Sequence, residues 1–233
     1  MPTASIPPGS SPADNARDLA IVLAAIAAAW ILSRWVIYPA LSIPDNAPLI
    51  LRPICGFLAA WWVVHRRGAG LRSLGLRVPD SWARAVLVGI ALYAADYAVG
   101  AWVAPWLASI VQPVQRPSFF AYVHGNTGAF ALWVAVSWLV GGLSEETLFR
   151  GFLLTRVEAL LGKKAAAVAA AIVAQALLFG ALHLYAGTFA FLYATLFGIT
   201  HGIFYAISGR NLVPLIVVHG TWDTVAFYGT YSS

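Results

Sequence analysis

Seven ionisable residues lie inside long apolar stretches of the sequence, and they are the first candidates for chemistry. They are Asp96, Glu145, Glu146, His183, His201, His219 and Asp223. An ionisable side chain inside a bilayer costs at least about 2.5–3.5 kcal/mol, so such residues persist where they are paired, hydrated or used. The chain has only nine acidic residues, and four of them are in this set. The set therefore predicts a polar site enclosed by apolar helices.

The segment 144–150, SEETLFR, carries the densest charge within these stretches. Glu146 and Arg150 are four residues apart, so on a helix they share a face and form a carboxylate–guanidinium pair. Glu145 lies about 100° around the axis from Glu146 and therefore faces a different neighbour. The pattern predicts one carboxylate neutralised by Arg150 and one available for chemistry. The alternative is a buried charge cluster that only stabilises helix packing.

Two more pairs have the same four-residue spacing. Phe179 would cover one side of the His183 imidazole on a shared helical face. Asp223 would accept a hydrogen bond from one ring nitrogen of His219, which fixes the tautomer and aims the other nitrogen at a reactant. A single histidine on an apolar helix is more often a packing residue. The joint occurrence of these pairs on separate helices favours a functional site.

The composition indicates the elements that position these residues. Hydrophobic residues make up 61% of the 233 residues and charged residues 10%, against about 25% charged in soluble domains. The mean hydropathy is +0.78. This excludes a soluble enzyme, and the single cysteine, Cys55, excludes a disulfide scaffold. The chain is predicted to be an integral membrane protein whose main partner is the lipid bilayer.

The predicted fold class is all-α, a polytopic transmembrane helical bundle. A spanning helix needs about 20 mostly apolar residues. Seven such spans separate at breaks rich in glycine, proline or charge: 19–38, 49–64, 82–104, 128–154, 165–184, 189–207 and 212–228. An eighth is expected if the segment 106–111 dips into the bilayer. Residues 1–16 are predicted to form a disordered cytoplasmic tail, and residues 17–233 a single transmembrane domain.

The basic residues alternate between the two sides of the predicted bundle. They crowd the connections after the second, fourth and sixth spans, at Arg66, Arg67, Arg72, Arg77, Arg84, Arg156, Lys163, Lys164 and Arg210. The positive-inside rule therefore predicts a cytoplasmic N-terminus. The net charge of +5 is a signal of topology, so no nucleic-acid partner is expected.

The order of the three motifs resembles that of the CAAX-protease and bacteriocin-processing (CPBP, or Abi) family of intramembrane endopeptidases. The family pattern E-E-x-x-x-R, F-x-x-x-H and H-x-x-x-N or H-x-x-x-D stands here as EETLFR (145–150), FGALH (179–183) and HGTWD (219–223). The FRG sequence at 149–151 is also similar. The resemblance covers roughly residues 138–228, while the helices before it match only in being hydrophobic.

This resemblance implies a glutamate-type peptidase that cleaves near the end of a membrane-associated protein or peptide. It assigns Glu145 as the general base and His183 as the residue that positions or protonates. It assigns His219 and Asp223 to the oxyanion, and Glu146, Arg150 and Phe179 to support of the site. Position 223 is Asp where the prenyl-protein proteases have Asn. An ionised Asp only accepts hydrogen bonds, so it is either protonated or orients His219.

Several alternatives stay open at this stage. A proton-coupled transporter also uses intramembrane acids and histidines, although no inverted repeat is visible. A non-catalytic membrane immunity or scaffold protein would keep the site without turnover. No cofactor is favoured; if zinc is bound, Glu145, His183 and His219 would supply a His₂Glu set, with a spacing unlike H-E-x-x-H.

Two predictions rest on less specific features. His201 belongs to none of the three motifs and is interpreted as a packing or substrate-channel residue. The short chain rich in Ala, Trp and Arg is typical of bacteria, which predicts the cytoplasmic (inner) membrane. The sequence indicates no oligomeric state and leaves the substrate open.

Overall fold

The computed structural model is helical, with no strand, in the residues it describes, which are 11–37, 40, 47–113, 120–162 and 164–233. Seven long helices follow one another within these ranges: α1 (Pro12–Ile37), α2 (Ala47–His65), α3 (Trp82–Ile110), α4 (Thr127–Leu161), α5 (Ala165–Ala181), α6 (Thr188–Ile207) and α7 (Val213–Ser232). Each helix coincides with one predicted span, and the all-α class is confirmed. By length and composition α1, α3, α4 and α6 could cross a membrane. The count of seven or eight crossings stays a prediction.

Several helix boundaries differ from those predicted, among them those of α1 and α3. The segment 106–110, proposed as a separate dip, continues α3 through a π-helical turn at Val99–Val103. Helix α1 begins at Pro12, within the segment predicted as a tail, because Ser11 and Asp14 form a capping box. The Ser11 hydroxyl accepts from the backbone N–H of Asp14, and the Asp14 carboxylate accepts from the backbone N–H of Ser11. Residues 1–10 of that tail lie outside the described residues.

Helix α4 is the central element of the bundle. It runs without interruption from Thr127 to Leu161, seven residues beyond the predicted span, and it contacts α1, α2, α5, α6 and α7. Its middle is wound as π-helix at Ser137–Glu145 and Thr147–Leu154. Such wide turns are rare and are frequently found at functional sites. All side chains from Thr147 to Leu154 are buried, so this part of α4 forms the axis of the core.

The surface of the bundle is apolar and part of its interior is polar, the reverse of a soluble protein. Large hydrophobic side chains stand mostly exposed around the outside, among them Trp35, Trp82, Trp102 and Trp106. Asp96, Glu146, Arg150 and the ring of His201 are buried. In hydrocarbon the exposed apolar area is solvated by lipid, and polar groups must find partners inside the protein. The chain is an integral membrane protein.

An ion-pair cluster stabilises one end of the bundle. The buried carboxylate of Asp18 on α1 accepts hydrogen bonds from Arg66 Nη2 at 3.1 Å and Arg67 Nη2 at 2.9 Å. Arg156 Nε on α4 lies 3.5 Å from the other Asp18 oxygen. At the same end Arg210, between α6 and α7, donates to Glu158 of α4 at 2.6 Å. The basic connections therefore gather on one side, as the alternation of charge predicts.

Substitution of Asp18 by Asn is expected to destabilise the protein, because it leaves the buried Arg156 without its carboxylate. We expect a loss of about 1.5–3 kcal/mol in the free energy of unfolding, the range for hydrogen bonds to charged groups. Thermal unfolding of the purified protein in detergent measures it. Asp80→Asn is the matched control, since Asp80 forms an exposed pair with Arg77 and exposed pairs contribute about 1 kcal/mol or less. Equal stability of the two variants would contradict the prediction.

Candidate active site

A cavity of about 300 Å³ lies between α4, α7 and the turn after α5. Its polar lining includes Glu145, His183, Tyr185, His219 and Asp223. All four residues to which the resemblance assigns catalysis therefore line one cavity, although they come from three separate parts of the chain. Aromatic and aliphatic side chains form the rest of the wall, including Phe120, Trp133 and Phe227.

The two adjacent glutamates of α4 occupy different environments. The Glu145 side chain is 17% exposed and lines the cavity, whereas the Glu146 side chain is fully buried. Arg150 Nη1 donates to Glu146 Oε1 at 3.1 Å, and its guanidinium lies over the Phe179 ring, 4.8 Å from the centroid. The i,i+4 pair is thus present as predicted. Glu145 remains as the carboxylate that faces the cavity.

The orientation of His219 depends on Glu146. His219 Nδ1 lies 2.7 Å from Glu146 Oε1, and because an ionised carboxylate only accepts, Nδ1 is the donor. Nε2 then faces the cavity, 3.8 Å from Glu145 Oε2 and 3.7 Å from Asp223 Oδ2. The latter distance is too long for a hydrogen bond. The expectation that Asp223 accepts from the ring is therefore not met, and the orienting carboxylate comes from α4.

His183 lies in the turn beyond α5, because the helix ends at Ala181. Its Nδ1 contacts the Phe179 carbonyl at 2.9 Å. A carbonyl only accepts, so Nδ1 donates and Nε2 is left for the cavity. The Phe179 ring centroid lies 4.8 Å from that of the imidazole. The predicted contact between the two rings is present, and the same backbone contact sets the tautomer of His183.

Gly141 permits the close approach of α7 to α4 at the cavity. A Cβ at this position would lie 2.7 Å from Asp223 Oδ2 and 3.2 Å from His219 Nε2. At Gly142 a Cβ would lie 2.9 Å from the backbone oxygen of Ile216 on α7. The paired glycines therefore have the role expected of small residues at a helix interface. Any side chain at position 141 would displace the polar groups of α7.

His201 contacts the buried Glu146 of the site, whereas its sequence context was interpreted as that of a packing or substrate-channel residue. Its Nε2 lies 3.0 Å from Asp96 Oδ2 on α3, and its Nδ1 lies 3.1 Å from Glu146 Oε1. The ring is fully buried and stacks on Phe197 with centroids 3.9 Å apart. Asp96 and His201 both lie in apolar stretches of the sequence, which predicts that they are intramembrane ionisable residues. No spacing rule connects α3 with α6, so their pairing was missed.

The described residues include one group arranged as metal ligands often are. Glu146, His201 and His219 each offer an atom, and these atoms lie within 4.8 Å of one another. This set differs from Glu145, His183 and His219, the ligands expected for zinc. The donor set fits a cation poorly, because Glu146 Oε1 already accepts from Arg150 and a cation there would lie beside a guanidinium. The arrangement favours a hydrogen-bonded network.

The fold and the site define an integral membrane protein with carboxylates and histidines collected at a cavity inside a helical bundle. Residues 127–225 match the family model described as Rce1-like, type II CAAX prenyl endopeptidase. The match contains all three motifs and confirms the resemblance to the CPBP family over α4 to α7. No curated protein matches the chain, and no solved structure does. Helices α1 to α3 precede the matched segment.

Proposed function

We propose that the protein is an intramembrane endopeptidase that hydrolyses a peptide bond near the end of a membrane-associated protein or peptide. The observation that carries the proposal is the cavity at which Glu145, His183, His219 and Asp223 meet. The match of residues 127–225 to a peptidase family supports it. Peptide hydrolysis requires water, a base, and donors aimed at the developing negative charge. The cavity has room for water, Glu145 can act as the base, and the histidines can act as donors.

Glu145 is the general base of the proposed reaction. Its carboxylate takes a proton from a water molecule in the cavity as the water oxygen attacks the substrate carbonyl carbon. The carbonyl π-electrons move to oxygen, which gives a tetrahedral oxyanion. Collapse of this intermediate breaks the C–N bond, and the proton held by Glu145 passes to the leaving amine. His183 presents Nε2 to the same cavity and positions or protonates the reacting groups.

His219 stabilises the oxyanion through Nε2 when the ring is doubly protonated. Its Nδ1–H donates to Glu146, so the positive charge of the ring is balanced by a buried carboxylate. A preorganised donor in a site that excludes bulk water is worth about 2.7–4 kcal/mol in the transition state. Asp223 lies beside Nε2 and donates a second hydrogen bond when it carries a proton.

Substitution of Asp223 by Asn is expected to preserve activity within about 5-fold. Glu146, and not Asp223, sets the tautomer of His219. The variant should therefore escape the large loss of activity that a wrong histidine tautomer causes in hydrolytic triads. Asn also donates at every pH, whereas Asp donates only below its pKa. The variant should therefore lose less activity than the wild type as the pH rises. The initial rate of peptide cleavage across pH 5–9 tests this. A loss of several orders of magnitude at every pH would instead assign Asp223 to orienting His219.

We propose that catalysis requires no metal, because glutamate chemistry suffices and Arg150 lies beside the buried donor group. Exhaustive chelation is expected to leave the cleavage rate unchanged, and elemental analysis of the active protein to find less than one zinc per chain. The control is a zinc-dependent protease treated in parallel, which must lose activity. Loss of cleavage that only added zinc restores would contradict the proposal and indicate a metalloendopeptidase.

The proposed function is tested by reconstituting the protein in lipid vesicles with a library of membrane-associated peptides. Mass spectrometry of the peptide ends is expected to show new termini that are absent without the protein. It also identifies the bond cleaved. If no peptide of any class is cleaved, the endopeptidase proposal is wrong, and a proton-coupled transporter or a non-catalytic scaffold is favoured instead.

We further propose that the protein resides in a bacterial cytoplasmic membrane with its N-terminus in the cytoplasm. The basic connections at Arg66, Arg67 and Arg210 gather at one end of the bundle with the start of α1. This arrangement satisfies the positive-inside rule only if that end is cytoplasmic. The expected substrate is a peptide or protein tail held at the same membrane.

A further inference from the structure

We propose that Asp96 and His201 are positioning residues of the hydrolytic site, which hold Glu146 against His219 and so fix the direction in which His219 presents Nε2. This inference rests on the proposed function and adds two residues to it. Asp96 lies on α3, before the segment that matches the peptidase family. His201 lies within that segment but in none of the three motifs.

The contacts form a continuous row across the bundle. Thr200 Oγ1 donates to Asp96 Oδ1 at 2.8 Å, and Asp96 Oδ2 lies 3.0 Å from His201 Nε2. His201 Nδ1 lies 3.1 Å from Glu146 Oε1, the same oxygen that contacts His219 Nδ1 at 2.7 Å. The row therefore connects α3, α6, α4 and α7. It ends at the His219 ring, whose other nitrogen, Nε2, faces the cavity.

The direction of each contact follows from the chemistry of the groups. Because the Asp96 carboxylate accepts, His201 Nε2 is the donor, and this bond sets the plane of the ring. The other ring nitrogen is then turned toward Glu146 and forms an ion pair with it when the ring carries both protons, while stacking on Phe197 prevents the ring from tilting. His201 thus contacts Glu146 from α6, and Arg150 holds the same carboxylate along α4. Three side chains, Arg150, His201 and His219, therefore contact the same oxygen of Glu146, Oε1.

Burial of ionisable side chains costs free energy, so a buried row of this kind indicates a functional role. The His201 ring is fully buried, and Asp96 is 3% exposed. A buried carboxylate–imidazole pair is often no more stable than apolar residues of the same size. Carboxylates of this kind orient the histidine ligands of metal sites, where their loss typically costs about 10–100-fold in metal affinity or activity, and we expect a loss of the same order here. The row has the geometry of such a support.

The test compares Asp96→Ala, Asp96→Asn and His201→Gln in purified protein. We expect Asp96→Ala and His201→Gln to lower kcat by about 10–100-fold with KM within about 3-fold, because transition-state positioning is lost while substrate binding is kept. Asp96→Asn keeps an oxygen acceptor for His201 Nε2 and should restore most of kcat. Thr195→Val is the matched control: its hydroxyl is on the same helix and donates only to the Phe191 backbone, so kcat should not change.

A second measurement does not need turnover. Nitrogen NMR of protein labelled only at its histidines reports which ring nitrogen of His219 carries the proton, with a His219→Gln sample to assign the signal. The His219 signals should shift in Asp96→Ala and stay in place in Thr195→Val. A shift without cleavage by the wild type would leave the positioning role intact and disprove the proposed function. Unchanged His219 signals, or an unchanged kcat in folded Asp96→Ala, would disprove the positioning role.

Discussion

Substitution of Glu145 by Gln is expected to abolish peptide cleavage and to leave a folded, membrane-inserted protein. Gln has nearly the same shape but cannot take the proton of the attacking water. A positioned general base typically contributes about 10²–10⁴-fold to the rate, so we expect kcat to fall at least about 10³-fold. The Glu145 side chain lines a cavity and is partly exposed, so its loss should not destabilise the bundle. Cleavage of a peptide identified by mass spectrometry provides the assay.

Glu158→Gln is the matched control for this substitution. Glu158 is also a buried carboxylate on α4, but it pairs with Arg210 at the end of the bundle and does not line the cavity. It should retain the activity of the wild type even if its thermal stability falls. Near-normal turnover by Glu145→Gln would assign the base to another residue. Equal loss in both variants would mean that disturbance of α4, and not loss of a base, abolishes cleavage.

The contacts that sequence spacing predicted are those between residues four apart, within α4 and at the end of α5. Glu146 with Arg150 and Phe179 with His183 are each four residues apart, and both pairs are present. The helical period alone brings such residues to one face. His219 and Asp223 share a face for the same reason, but His219 Nε2 and Asp223 Oδ2 are 3.7 Å apart. A shared face therefore predicted proximity correctly and the hydrogen-bond partner incorrectly.

The contacts that sequence could not predict are those between helices. Glu146 meets His219 and His201 because α6 and α7 both pack on the π-helical middle of α4. Their rotation and depth depend on small residues such as Gly141, whose missing Cβ leaves room for Asp223. A spacing rule contains no information on relative rotation. The only signal in the sequence was the cost of placing Asp96 and His201 inside apolar spans.

The number and order of the helices in the described residues were easier to predict than the residues at which the helices begin and end. Apolar runs of about 20 residues between polar breaks located all seven helices, since the bilayer sets their length. Helix ends depend on local chemistry instead: the capping box at Ser11 and Asp14 starts α1 earlier than composition suggests. The π-helical turns in α3 and α4 leave no comparable mark in the sequence.

Substitution of Arg150 by Met is expected to cause the largest loss of stability, because it removes the guanidinium that neutralises Glu146 in the interior. Both side chains are fully buried, and breaking such a pair from one side costs about 3–5 kcal/mol. For a protein of this size that corresponds to a fall of about 6–20 °C in Tm. Met is apolar and unbranched, so it retains packing against Phe179 and Phe197, which the guanidinium now covers. Thermal unfolding in detergent micelles measures the change.

The double variant Glu146→Gln with Arg150→Met separates the charge from the packing. It removes both members of the pair, so neither the carboxylate nor the guanidinium is left without its partner. The double variant should be more stable than Arg150→Met alone by at least about 1 kcal/mol. Its activity should stay low, because the neutral amide no longer balances a charged His219 ring. If Arg150→Met unfolds at the wild-type temperature, Glu146 is not charged in the folded protein. If the double variant is the less stable, packing by the guanidinium outweighs the pairing of charges.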